Sequence, residues 1–551
     1  MKKLLLCLTI LGLLHSRDIG AQAGFSTLPL AKKETSAILT GQRIQSGPKY
    51  ERALRIYTAL VEARGDRRYP LPTLVMQNVE YQVACIDYSE LEIILEEKAY
   101  DVCDAFGAQG DAALATLLGH ELSHYYEKHA WRRNFVANYA DLKVGIRLDS
   151  LHDDVANETQ ADYFGGFLTY SAGFGLFEKS AALIDSLYSA YGIPEQISGY
   201  PSLSDRKTLS HRTTKKLERL VEVFDMANLL TAAGKYGEAC QYYKYILQEY
   251  QSREIYNNVG VTAILHALSI FDNRQKKFHL PIELDLETAG SRGANDSENL
   301  QRKLLEEAIR HFDAAISMDP DYAPAYLNKA CAYLLLGDAQ RAEFYANVEA
   351  RQAAARRNQP KVETDIGILL GILAANRGDK AIAQTYFETA AAQENVLARA
   401  NLNLLLDKPE HLASFMSSKG AYAPESISQQ TMTEIAQAPH VEDSRSVNIQ
   451  KDLRFLQNDE QDSENGRLFV SYQADDFTYS LFLLTPPNYT GKTARGIYRG
   501  ASYSGIEAVY GPPESRIQTP QGQLLVYKDI IFVLGPDDTL DRWVLFLLDQ
   551  G

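Results

Sequence analysis

His120, Glu121 and His124 stand in the run His120-Glu121-Leu122-Ser123-His124, an H-E-x-x-H pattern. On a helix the two histidines fall one turn apart on a single face, the arrangement by which two imidazoles ligate one zinc ion. Glu121 is turned by about 100° from His120, yet its side chain can reach a water on that ion. A third ligand is offered by Glu158-Thr159-Gln160-Ala161-Asp162, where Glu158 and Asp162, four apart, share one face of a second helix. His120, His124 and Glu158 make a three-ligand set with a position open for water, and Asp162 is spaced to accept the free N–H of a ligand histidine, which fixes its tautomer. The chemistry expected is peptide hydrolysis with one Zn2+ per chain: a zinc-activated water attacks the scissile carbonyl, Glu121 removes its proton as general base, and Glu121 then hands that proton to the leaving amine.

These residues need two helices and a small domain to hold them. Ala113, Leu117, His120 and His124 follow at helical spacing after Gly110, with Asp111 expected as the N-cap. Gly165 and Gly166 extend the Glu158–Asp162 stripe and are expected to let the second helix pack closely on the first. Residues 24 to about 220 mix such helices with two β-rich segments, 81–88 and 91–100, which reads as a compact α+β domain. Segment 91–96 is either an exposed edge, where a peptide adds by backbone pairing, or an internal strand. Cys85 and Cys103 either bridge or remain buried thiols.

The run H-E-L-S-H-Y-Y-E-K-H (120–129) followed by E-T-Q-A-D (158–162) resembles the gluzincin metallopeptidases of the HtpX and BepA type, family M forty-eight. These carry H-E-L-G-H with a further histidine five positions on, then E-x-x-A-D. The resemblance covers about residues 110–206. It implies a zincin-like fold, zinc ligands at His120, His124 and Glu158, the general base at Glu121 and a hydrogen-bonding support at Asp162. Beyond the third ligand the family has H-P-x-x-x-x-R, whereas this chain has Tyr200-Pro201 with Arg206 at the matching distance. The resemblance therefore implies catalytic roles for Tyr200 and Arg206 as donors to the developing oxyanion. A phenol with an unperturbed pKa near 10 stays protonated at neutral pH and can donate. Tyr200 is alternatively an aromatic packing residue, and His129 a structural or surface residue.

From about 218 to 406 alanine-rich helical pairs recur. Ala227, Leu230, Gly234, Tyr236, Ala239, Tyr243 and Ile246 fit the small, aromatic and turn positions of a tetratricopeptide repeat. A second unit starts at Tyr256 and resumes at Ala308, Phe312, Ala315 and Pro320 after a polar insertion, 276–299, read as a loop. A third carries Tyr326, Ala330, Tyr333, Gly337 and Ala342, and a fourth Gly371, Ala374, Gly378, Ala383, Phe387 and Ala390. The four units resemble the tetratricopeptide family, which implies a stacked solenoid holding a protein partner.

The fold class expected is mainly α: a signal peptide over 1–23, an α+β zincin-like metallopeptidase domain over 24–216, an α-helical tetratricopeptide solenoid over 217–410, a polar linker over 411–466 and a small β-rich domain over 467–551. Lys2 and Lys3 precede an apolar run ending at Leu14, and Ala21-Gln22-Ala23 offers a cleavage site, the pattern of a secretory signal. No other stretch approaches the ~18 apolar residues of a membrane helix, so a periplasmic or secreted, non-spanning protein is expected. The excess of 71 Asp+Glu over 56 Lys+Arg argues against a nucleic-acid partner. Five irregularly spaced cysteines write neither a zinc ribbon nor a disulfide framework. Protein or peptide substrates, an envelope partner on the repeats and a part in protein quality control are the functional expectation. The alternatives are a chaperone-like tetratricopeptide scaffold with a closed peptidase domain, and an amidase acting on cell-wall peptides.

Overall fold

The computed structural model describes residues 42–551 except 81, 89, 129–153, 197–201, 271–277, 283–296, 409–422, 438–443, 459–465, 476, 487, 520–521, 536 and 549–551. The signal segment, His129, Tyr200, the expected boundary at 410 and most of the 276–299 insertion therefore lie outside the described residues. The chain forms two compact units. The first comprises residues up to Tyr57 with Leu71–Asp162 and Lys179–Ser210; the second comprises Thr58–Pro70, Tyr163–Glu178 and the chain from His211.

In chain order the first elements are β1 (Arg43–Ile44), α1 (Pro48–Arg64), β2 (Thr73–Gln77), β3 (Ala84–Asp87), β4 (Glu92–Glu96), α2 (Glu97–Asp104), α3 (Gly110–Tyr126), α4 (Asp154–Thr169), α5 (Ser180–Tyr191) and α6 (Leu203–Ala232). The sheet of the first unit runs β1-β2-β4-β3, with β2 and β4 parallel and the other pairings antiparallel. Strand β4 is thus internal, which decides against the exposed-edge reading of 91–96. It also ends sooner than expected: the run 91–100 changes from strand to helix at Glu97, and β2 went unforeseen. The sequence Glu92-Ile-Ile-Leu-Glu96 is buried throughout, as a strand covered on both faces must be.

Helix α3 packs against β3, β4, α2 and α5. Its Ala- and Leu-rich sequence favours helix, and its burial from Ala112 to His124 is nearly complete apart from Thr116. Asp111 is not the N-cap. The helix starts two residues earlier than that cap requires, with Gln109 at the cap position, and Asp111 pairs instead with Arg52 at 2.6 Å and Arg55 at 2.7 Å, both on α1. That ties the start of the motif helix to α1 with the acid where the helix dipole favours it. Cys85 and Cys103 are free and buried.

The second unit continues with α7 (Tyr236–Glu249), α8 (Arg253–Ile270), α9 (Ser297–Met318), α10 (Ala323–Leu335), α11 (Ala339–Phe344), which passes through a π-helical turn into α12 (Arg351–Arg356), α13 (Pro360–Asn376), α14 (Lys380–Ala391) and α15 (Val396–Leu405). Helix α8 packs on α7 and α9, and α14 on α13 and α15. Turns recur at Gly234 and Gly337, both at positive φ (77° and 80°), the left-handed position that closes one helix before the next. At Gly260 a Cβ would lie 2.4 Å from Phe312, so α8 and α9 approach closely only because that side chain is hydrogen. The boundary expected at 216–217 falls inside α6, a single helix of 30 residues.

Then come β5 (Ser426–Ile427), β6 (Gln430–Thr431), α16 (Met432–Gln437), β7 (Ser444–Asn448), β8 (Leu453–Asn458), β9 (Arg467–Gln473), β10 (Thr478–Leu484), α17 (Tyr503–Tyr510), β11 (Ser515–Thr519), β12 (Gly522–Val526), β13 (Ile530–Leu534) and β14 (Leu540–Leu548). Strands β7 to β14 form one sheet in the order β11-β12-β13-β14-β10-β9-β8-β7. Strands β7 and β8 lie in what reads from sequence as a polar linker. Ser444–Asn448 reads Ser-Arg-Ser-Val-Asn, with Val447 its single apolar residue, and its pairing with β8 makes it a strand. One face of the sheet shares a core with the repeats, where Phe455 meets Tyr242 at 6.2 Å. The other face packs Trp543, Phe532 and Leu545 with Ile427, Met432 and Ile506. Among the described residues no helix is long and apolar enough to cross a membrane.

Candidate metal centre

The C-terminal half of α3 carries His120, Glu121 and His124, and α4 brings Glu158 and Asp162, one turn apart, to the same place. The ligand-type atoms of His120, His124 and Glu158 all lie within 4.8 Å of one another. His120 Nε2 is 2.9 Å from His124 Nε2 and 3.4 Å from Glu158 Oε2, and His124 Nε2 is 3.6 Å from Glu158 Oε1. The other ring nitrogen of His120, Nδ1, is 2.7 Å from Asp162 Oδ1. Since an ionised carboxylate only accepts, His120 donates its Nδ1–H to Asp162, and Nε2 faces Glu158 and His124.

Both histidines are buried, and Glu121 is wholly so. Neither carboxylate oxygen of Glu121 has a hydrogen-bond partner among the described residues, an arrangement that costs free energy unless something polar completes it. Burial pushes the Glu121 carboxyl up to about 8; His120 opposes this and Glu158 adds to it. Burial works against a charged His120, but Asp162 and Glu158 outweigh it and hold the imidazole up to about 10. Glu158, despite burial, is held below the usual carboxylate range by His124, His120 and Arg206.

Of the further residues expected at the site, Arg206 at the start of α6 lies 3.9 Å from Glu158 Oε2; Tyr200 lies outside the described residues. The Tyr88 hydroxyl donates to the His124 carbonyl at 3.2 Å. Nothing in the sequence marks Tyr88, because the contact joins a turn after β3 to a helix 36 residues on. Gly166 does not face the motif helix: a Cβ there would sit 2.4 Å from Leu217 Cδ2 on α6. Three inward-facing donors of two residue types, with a buried and unpaired carboxylate beside them, can hold a divalent cation.

Residues 311–344 match the tetratricopeptide repeat family, spanning the end of α9 and all of α10 and α11, so the chain contains a tetratricopeptide repeat. No curated protein matches the sequence. Among solved structures, the thermophilic tetratricopeptide protein TTC0263 of Thermus thermophilus is similar at 19% identity and a TM-score of 0.26, covering 42% of this chain and 99% of that one. The human IFIT1 dimer with PPP-AAAA is similar at 14% identity and a TM-score of 0.27, covering 54% of this chain and 63% of that one. At these TM-scores neither likeness bears on function.

Proposed function

We propose that this tetratricopeptide-repeat protein is a zinc-dependent endopeptidase of the bacterial cell envelope, acting in protein quality control, whose repeats hold its protein partners. The observation that carries the reading is the convergence of His120, His124 and Glu158 around one point, with Glu121 buried beside it and unbonded. The three separations among their donor atoms, 2.9, 3.4 and 3.6 Å, bracket the ~3.3 Å expected between ligands about 2.0–2.1 Å from a tetrahedral ion. Zinc, when bound, polarises the scissile carbonyl and lowers the pKa of the attacking water toward about 7.

The chain's own residues have the remaining tasks. Asp162 holds His120 in the tautomer that presents Nε2. Glu121 takes the proton of the attacking water and delivers it to the leaving amine, since its oxygens have no competing partner. Arg206 keeps Glu158 ionised and oriented, and Tyr200 is proposed as a donor to the developing oxyanion.

A second reading, a binding scaffold with a closed peptidase domain, is favoured by the repeat match at 311–344. One assay separates the two. The purified chain with zinc should cleave an unstructured protein such as casein, and Glu121→Gln should abolish cleavage while retaining the metal. Zinc-loaded wild-type protein that cleaves nothing would favour the scaffold, and equal cleavage by Glu121→Gln would place the activity elsewhere.

A further inference from the structure

The second unit contains a cleft of about 1290 Å3. One wall is α6 with the segment 170–178; the other is the ends of β9, β10, β13 and β14 with their connecting loops. Small-molecule sites are roughly 300–1,000 Å3, so this cleft suits a length of polymer. Apolar side chains line both walls: the partly exposed Leu176 and the buried Val221 on the helical one, the partly exposed Val533 and the buried Leu484 on the sheet.

The charges on the walls do not balance, with six carboxylates against three guanidinium groups. Some are matched. Asp225 faces Arg542 at 3.6 Å and accepts from Tyr170, and Arg499 bonds Asp541 at 2.8 Å. Glu222 is offset by Arg445 at 3.3 Å and by Arg467. Glu178 and Glu218, on the helical wall, have no ion-pair partner among the described residues, and Glu218 repels Glu222. Glu178 is exposed and Glu218 half-buried, so both can meet a ligand. Carboxylates sharing a cleft with apolar side chains complement a lysine or arginine side chain, whose methylene stem lies on apolar surface while its charged head reaches the acid. A bare polyamine would match the charge but leave Leu176 and Val533 uncovered.

We infer that this cleft binds a basic, partly apolar segment of polypeptide, with lysine or arginine side chains directed at Glu178 and Glu218. The inference does not rest on the zinc reading. Fluorescence anisotropy tests it with the full-length chain carrying Glu121→Gln, which leaves the probe intact whatever the wild type hydrolyses, and a short labelled peptide alternating lysine with leucine. Saturable binding is expected that weakens with salt. The Glu178→Lys/Glu218→Lys double variant should bind at least about tenfold more weakly, and a glutamate–leucine peptide should not bind. Circular dichroism checks the fold; should charge reversal disturb it, Glu178→Gln/Glu218→Gln carries the same test with a loss of about threefold. The absence of saturable binding, an unchanged affinity in the folded double variant, or equal binding of the acidic peptide would overturn the inference.

Discussion

Asp162→Ala removes the acceptor 2.7 Å from His120 Nδ1 and leaves every proposed ligand in place. Losing such a support costs about 10–100-fold in metal affinity, or ~1.4–2.7 kcal/mol. The Asp162 side chain is 32% exposed, so water can take over part of the hydrogen bond, and the lower part of that range, about 10–30-fold, is expected. Asp162→Asn keeps an acceptor oxygen within reach and should lose only a few-fold. Competition of the zinc-loaded chain against a series of chelators measures both variants, with circular dichroism to confirm that each is folded. Wild-type affinity in Asp162→Ala, or an equal loss in the alanine and asparagine variants, would refute the claim that an acceptor at this position orients His120.

Three further expectations concern the second unit. Gly260→Ala inserts a Cβ 2.4 Å from the buried Phe312 ring and should lower stability by about 1–3 kcal/mol in denaturant unfolding. Asp319 is fully buried, bonded to Arg253 and, at 2.6 Å, to Arg357; Asp319→Ala leaves Arg253 with Glu254 at 2.7 Å and Glu62 at 3.3 Å, and Arg357 with Glu62 at 3.3 Å, so it should cost about 1–3 kcal/mol by the same measurement. His311, 3.7 Å away, and Lys244, at 2.5 Å, hold the Glu307 carboxyl down to about 2 against the opposing effect of burial. A depressed carboxyl contributes stability that is complete above its unfolded value of about 4.5 and lost as pH falls toward about 2. Thermal unfolding across that window should therefore be less pH-dependent in Glu307→Gln.

What could be read from sequence was local. The one-turn spacings of His120 with His124 and of Glu158 with Asp162 are consequences of helix geometry, so knowing that both segments are helical was enough to group their side chains. The repeat turns at Gly234 and Gly337 were legible for the same reason. What escaped depends on distant partners. Strand β4 becomes internal only because β2, a short apolar run that does not declare its partner, pairs beside it in parallel. Ser444–Asn448 is strand only because β8 pairs with it, and Asp111 turns from N-cap to ion pair because Arg52 and Arg55 lie on α1. Gly166 was matched with the wrong helix because a small residue announces a close approach without naming the neighbour.

The central claim, that His120, His124 and Glu158 hold one zinc ion, is tested most directly by elemental analysis of the purified full-length chain beside a folded His120→Ala/His124→Ala variant. About one zinc per chain in the wild type and almost none in the variant is the expected result. A wild type that retains no zinc after exposure to it, or a double variant with undiminished zinc, would contradict the account.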